Sequence, residues 1–361
     1  SRRTYFSLVV VLTNNNMNET IPIINISALC VDEPNYTSKE IHLITNAINK
    51  ACSSYGFFYI TGYESIVSSK SISNLESLAT TFFNQTQQEK MNISMKQSGL
   101  HWKGYFPSGD ELTSGSPDAK EGIYFGEEYS LDSPQVLHKL AMHGPNQFPT
   151  PKEQWRSAVL HYMNALTILG LRLMRGIALS LNLPSNHFEK IFMQPKPFTP
   201  FRIFRYPGND SRQGVGRHTD YGCLTILKQD DVGGLEVEIE PNTWIKAPPV
   251  SNSFVVNIGD MLEIWTSGVY KATPHRVKPG LKKTRMSMPF FFDPSFDAVI
   301  DPKELRQDSS VLKLTNAAGT TDVEVQKDVI IKYGEYITHK VAHVFPELFE
   351  DSGGKDRLSK L

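Results

Sequence analysis

The chain has 361 residues, 40% of them hydrophobic and 21% charged, with a formal net charge of −1. That balance belongs to a folded domain long enough to bury a large core without staples. It lacks the basic excess of a nucleic-acid binder or a polybasic membrane-surface protein. The three cysteines, Cys30, Cys52 and Cys223, are sparse and far apart. They argue against a disulfide framework, form no zinc pattern, and lead us to expect a reducing, cytoplasmic setting.

Residues 1–16, "SRRTYFSLVVVLTNNN", pair a basic start with an apolar run too short to span a bilayer. They read as a leader or extension outside the fold. Residues 17–150 are expected to form an N-terminal helical and loop region. Ile41, Ile44, Ile48, Ala51 and Tyr55 make a helical stripe, with Thr37 and Glu40 as a capping box before it and Gly56 after it. "FFYITG" at 57–62 reads as a short buried strand, and Leu75, Leu78, Ala79, Phe82 and Phe83 as a second amphipathic helix. The polar, Gly/Pro/Ser-rich stretch from 84 to 150 is expected to be loops, which at this length are often functional.

Backing helices are expected over 151–197. Thr150 and Glu153 form a capping-box pattern with Pro151 in the first turn, and Trp155, Val159, Tyr162, Leu166, Leu169, Leu173, Ile177 and Leu181 follow at helical spacing. From 198 to about 300 the period changes to two. "FRIFRYP", "CLTILKQD", "LEVEI", "WIKAPP", "SFVVNIG", "MLEIWTS", "KATPHRV" and "RMSMPFFF" read as short strands of a sandwich or barrel. Gly233-Gly234 reads as a hairpin turn. Residues 301–361 are expected to be a C-terminal strand and helical extension.

The strand-like stretch "GRHTDYGCLTILKQ" begins with His218 and Asp220. At i and i+2 on extended backbone, both side chains share one face. Two such groups are costly to bury unless something charged satisfies them. The β region holds one further histidine, His275, after a gap of 54 residues filled with strands. Two imidazoles and one carboxylate would make a facial triad with open positions, the arrangement that suits non-haem Fe(II). Arg285 and Ser287 form a second same-face pair ten residues after His275. An arginine aimed into a β core needs an anion, and its fork matches a carboxylate. Tyr206 could add its hydroxyl. Each signal alone is weak in a chain with ten histidines; their order and strand context carry the weight. A zinc hydrolase would also want a general base near such a site.

"IPIINIS", "YGFFYITGY", "RYP", "HTDYGCLTILKQDDVGGLEV", "VVNIGDMLEIWTSGVYKATPHRV" and "RMSMPFFFDP" together resemble the plant and fungal type of Fe(II)/2-oxoglutarate-dependent dioxygenase, the superfamily that includes isopenicillin N synthase. The resemblance spans residues 20–345. It implies a mainly β fold with flanking helices: a double-stranded β-helix, or jelly roll, behind an α-rich N-terminal half. It implies Fe(II) on His218, Asp220 and His275, 2-oxoglutarate on Arg285, Ser287 and Tyr206, O2 as oxidant and ascorbate as reductant. The implied reaction couples oxidative decarboxylation of 2-oxoglutarate to hydroxylation, desaturation or, as in kainoid synthases, oxidative ring closure. Phe204 stands where many plant members have asparagine, and Arg217 and Pro274 are unusual neighbours of the ligands; none of the three removes a ligand.

A small, carboxylate-bearing substrate is expected, with Arg202 as its anchor because Arg202 shares a strand face with Tyr206 and Arg205 does not. Phe204, Tyr105, Glu121, Tyr124 and Phe290 are the further substrate-pocket candidates, and Phe291, Trp265 and Ile226 candidate dry walls. A monomer with no membrane or nucleic-acid partner is expected. An oxidase of the isopenicillin N synthase kind that takes no 2-oxoglutarate, and a non-catalytic jelly-roll binding protein, remain the alternative readings.

Overall fold

The computed structural model describes residues 20–278, 280–301 and 330–346. The leader expected at 1–16, and most of the extension expected at 301–361, lie outside the described residues. The strands are β1 (Ile23–Asn25), β2 (Phe57–Thr61), β3 (Gly104–Phe106), β4 (Glu121–Phe125), β5 (Phe201–Tyr206), β6 (Val215–His218) and β7 (Leu224–Gln229). They continue with β8 (Leu235–Glu240), β9 (Thr243–Lys246), β10 (Phe254–Ile258), β11 (His275–Val277), β12 (Arg285–Phe292), β13 (Val299–Ile300) and β14 (Ile331–Lys332). The helices are α1 (Lys39–Ser54), α2 (Ser69–Phe83), α3 (Gln87–Met91), α4 (Pro134–Leu137), α5 (Lys152–Ser180), α6 (His187–Phe192), α7 (Asp260–Trp265) and α8 (Tyr333–Val344).

An eight-stranded sheet runs β1-β2-β10-β7-β12-β5-β4-β3, and a four-stranded sheet runs β6-β11-β8-β9. Phe57, Tyr59, Leu227 and Val255 of the large sheet pack against Leu235, Val237 and Ile245 of the small one. The two sheets thus close face to face as a double-stranded β-helix. The outer face of the large sheet rests on α5, whose stripe from Trp155 to Ile177 is buried. Each large apolar side chain removed from water there contributes roughly 1.5–3 kcal/mol. Gly170 sets the distance of approach: a Cβ on it would lie 2.3 Å from the Phe292 ring. Among the described residues no helix is long and apolar enough to cross a membrane.

Several local expectations are corrected. The N-terminal 150 residues hold more strand than the one expected at 57–62, which is β2: β1, β3 and β4 join it in extending both edges of the large sheet. The stretch expected to be loops contains α3, β3 and β4. Helix α1 is capped one residue later than the pattern suggests, by Ser38, whose hydroxyl accepts from Ile41 N at 3.2 Å. Helix α5 has Pro151 at its N-cap position and no side-chain cap at all. "MLEIWTS" is not a strand but lies in and after α7. Gly259 precedes that helix, Asp260 and Glu263 sit in its first turn, and Met261, Leu262 and Trp265 share its buried side. Gly233 and Gly234 do turn the chain, with φ of +78° and +103°, but β7 and β8 belong to different sheets, so the turn is a crossover and not a hairpin.

Candidate active site

The stretch that opens with His218 and Asp220 is two strands, not one. Strand β6 ends at His218; Asp220 lies in the turn that follows, and the chain re-enters as β7 on the opposite sheet. His218 is paired directly across from His275 in β6–β11 register, which places the imidazoles with ring centroids 4.2 Å apart. Both Nε2 atoms lie 3.7 Å from Asp220 Oδ1. One ligand atom from each residue falls within 4.8 Å of the others. Among the described residues this is the one such cluster of three metal-ligating groups.

Each imidazole is oriented through its other nitrogen. His218 Nδ1 lies 2.8 Å from Gly216 O, and His275 Nδ1 lies 3.2 Å from Thr273 O. A carbonyl partner requires the proton on Nδ1, which leaves the Nε2 lone pair free for a cation. Burial, helped by the neighbouring His275, pushes His218 down to about 4, so the ring is neutral in the physiological range. Burial opposes the charge of Asp220, but His275, His218 and hydrogen bonds from Asn257 and Thr225 hold its carboxyl below the ordinary range. The three atoms that converge are two imidazole nitrogens and a carboxylate oxygen, a donor set that fits Fe(II) with half its coordination sphere left over.

A cavity of about 150 Å³ lies between the two sheets beside this cluster. On β12 the alternation Arg285, Ser287, Pro289, Phe291 faces it. Arg285 is 1% exposed, yet its Nε and Nη1 have no hydrogen-bond partner. Its guanidinium stands 4.8 Å from the centre of the Tyr206 ring, the residue opposite it on β5. Ser287 pairs across to Phe204. Buried guanidinium donors are expensive to leave unmade, and a carboxylate held there would satisfy them. The residues present fit 2-oxoglutarate.

On β5, Arg202, Phe204 and Tyr206 all line the cavity. The Arg202 guanidinium lies 3.5 Å over the Tyr124 ring, and its Nη1 donates to the carbonyls of Phe125 and Phe201 at 3.2 Å. Tyr124 donates in turn to Glu111 at 2.6 Å. Glu111 and Asp118 hold Lys120 at 3.0 and 2.5 Å. Neither Glu111 nor Lys120 follows from the sequence, since their loop carries no period. Helix α8 adds Ile337 and Val341 to the wall.

Three expected pocket residues are elsewhere. Glu121 and Tyr124 are three apart on β4 and so face opposite sides of the sheet. Tyr124 enters the cavity, whereas Glu121 sits in an outer network with Lys90 and Tyr105, each at 2.6 Å, and with Arg205. Tyr105 belongs to that network and not to the pocket. Phe290 is fully buried in the main hydrophobic core; Phe291, one residue on, faces the cavity. Ile226 yields its expected place to Thr225 and Leu227 by the same alternation. Trp265 stacks on Phe192, with centroids 3.9 Å apart, away from the site.

Comparison with known proteins agrees with this geometry. Residues 198–294 match the family model described as "2OG-Fe(II) oxygenase superfamily". Residues 21–151 match "non-haem dioxygenase in morphine synthesis N-terminal". A Dictyostelium discoideum protein named "Probable iron/ascorbate oxidoreductase" is 39% identical, over 91% of this chain and 96% of its own. A homoarginine-6-hydroxylase of Glycine max is 34% identical over 91% and 98%. The crystal structure of a full-length Neurospora crassa protein in complex with alpha-KG superposes with a TM-score of 0.71 at 23% identity, covering 91% of this chain and 98% of that one, a likeness of fold. The chain belongs to the 2OG-Fe(II) oxygenase superfamily and is an oxidoreductase of the dioxygenase class that acts on a small molecule with Fe(II), 2-oxoglutarate, O2 and ascorbate.

Proposed function

We propose that the protein oxidises a C–H bond of a small substrate bearing at least one carboxylate, with Arg202 as the anchor for that carboxylate. The observation that carries this reading is the state of Arg202. It is buried on the cavity wall, and its Nη1 donates to the backbone carbonyls of Phe125 and Phe201 and not to a carboxylate. Burial draws its guanidinium below the usual arginine value, and an anion from the substrate would offset that cost. Two relatives bear the names of enzymes of amino acids: the homoarginine hydroxylase above and a 1-aminocyclopropane-1-carboxylate oxidase of Dictyostelium discoideum, 32% identical over 93% of this chain and 98% of its own. Both names fit a substrate of this kind.

In this reading His218, Asp220 and His275 hold Fe(II), and Arg285, with Ser287 and Tyr206 beside it, holds the distal carboxylate of 2-oxoglutarate. Fe(II) held by these residues would supply the chemistry that couples decarboxylation of 2-oxoglutarate by O2, giving succinate and carbon dioxide, to transfer of one oxygen atom into the substrate or removal of two of its hydrogens as water. The protein's share is placement. Arg202 fixes one end of the substrate, and Tyr124, Phe204 and Phe291 supply a water-poor wall along its length. Succinate release, measured with a panel of amino and keto acids against neutral compounds of like size, tests the proposal. Stimulation by carboxylate-bearing compounds, weakened in Arg202→Met, is expected. A clear preference for neutral compounds would defeat it.

A further inference from the structure

We infer that Thr225 and Asn257 are positioning residues that restrict Asp220 to one metal-facing oxygen and thereby keep open the coordination positions that 2-oxoglutarate needs. The inference rests on the reading of His218, Asp220 and His275 as the iron site. Asp220 has two carboxylate oxygens with different surroundings. Oδ1 faces both imidazoles at 3.7 Å. Oδ2 points the other way and accepts two hydrogen bonds, from Thr225 Oγ1 at 2.5 Å and Asn257 Nδ2 at 2.7 Å.

The two donors come from adjacent strands. Thr225 on β7 and Asn257 on β10 are direct cross-strand partners, so their side chains rise side by side from the large sheet. Both are buried, Thr225 to 4% and Asn257 to 2% exposure. Their neighbours along the strands are apolar: Leu224 and Ile226 beside Thr225, Val256 and Ile258 beside Asn257. Two buried polar groups set among these apolar neighbours have a cost unless they are paired. They are paired, and both to the same oxygen.

A carboxylate free to turn can bind a cation through both oxygens. That would take a coordination position beyond the three the protein fills. Two charge-assisted hydrogen bonds on Oδ2 oppose such a turn. The large sheet thus supplies the geometry, although Asp220 itself sits in a turn where the backbone alone fixes it less.

The test is an anaerobic titration of Fe(II)-loaded protein with 2-oxoglutarate, followed by the visible charge-transfer band of the complex. Thr225→Val, Thr225→Ser and Asn257→Ala are compared with the unmodified protein, and thermal melts confirm that each is folded. Valine keeps the shape of threonine without its donor; serine keeps the donor. We expect Thr225→Val and Asn257→Ala to raise the Kd for 2-oxoglutarate roughly 10–100-fold, as outer partners of metal ligands generally do, and Thr225→Ser to stay near the unmodified value. A Kd within twofold of the unmodified protein in both Thr225→Val and Asn257→Ala would overturn the inference. So would a loss in Thr225→Ser as large as that in Thr225→Val. If Thr225→Val does not fold, Asn257→Ala decides by the same measure. Absence of the band in the unmodified protein would instead refute the iron site itself.

Discussion

The two ends of the cavity are built on opposite plans. At the metal end the polar groups are anchored: each histidine has a backbone carbonyl behind it, and Asp220 has two donors on its outer oxygen. At the Arg285 end a charge is left wanting: Arg285 is buried with its Nε and Nη1 unpaired. The difference teaches how to separate what holds the site together from what waits for a ligand. A buried group whose bonds are complete is scaffolding for its neighbour. A buried cation whose bonds are incomplete marks where an anion from outside belongs.

The comparison can be broken most forcefully at the metal end. His275→Ala removes one of three ligand atoms and should lower both Fe(II) affinity and 2-oxoglutarate turnover, the latter by about 10³-fold or more given the several kcal/mol a bound metal contributes. Equilibrium dialysis with Fe(II) and a succinate assay check this. At the other end, Arg285→Met should leave Fe(II) binding intact while raising the Kd for 2-oxoglutarate roughly 10–100-fold, the worth of one or two charge-assisted hydrogen bonds. Equal loss of Fe(II) affinity would show that the two ends are not separable. The smallest effect on the cavity is expected from Glu121→Gln. Its carboxylate serves Lys90, Tyr105 and Arg205 on the far side of β4. Removing it should cost roughly 3 kcal/mol of stability, since it strands buried Lys90. The Kd values for Fe(II) and 2-oxoglutarate should stay within about twofold of the unmodified protein's in the folded variant.

These contrasts also mark what can be read from the chain. Arg285 and Ser287 are legible because a period of two fixes facing on β12, and His218, Asp220 and His275 because ionisable groups beside apolar strands demand an explanation. The turn holding Asp220 is not, since "HTDYG" between strand-like runs looks the same whether the chain stays in one sheet or crosses to the other. Glu121 and Phe290 suit a cavity by their kind but not by their parity; the strand alternation sends Tyr124 and Phe291 there instead. Thr225 and Asn257 are visible as polar residues between apolar neighbours, but their shared target emerges only when β7 and β10 are placed side by side. Helix α7 reads as a strand because six residues are too few for period alone to decide; its glycine and acidic first turn are the better signal.

The most direct test of the account is the position of iron. Crystals grown without oxygen, with Fe(II) and 2-oxoglutarate, can be measured at the iron absorption edge. The account predicts a single anomalous peak within bonding distance of His218 Nε2, Asp220 Oδ1 and His275 Nε2, with 2-oxoglutarate reaching from it to Arg285. A peak bound elsewhere, or a well-ordered cluster that takes up no iron, would contradict it.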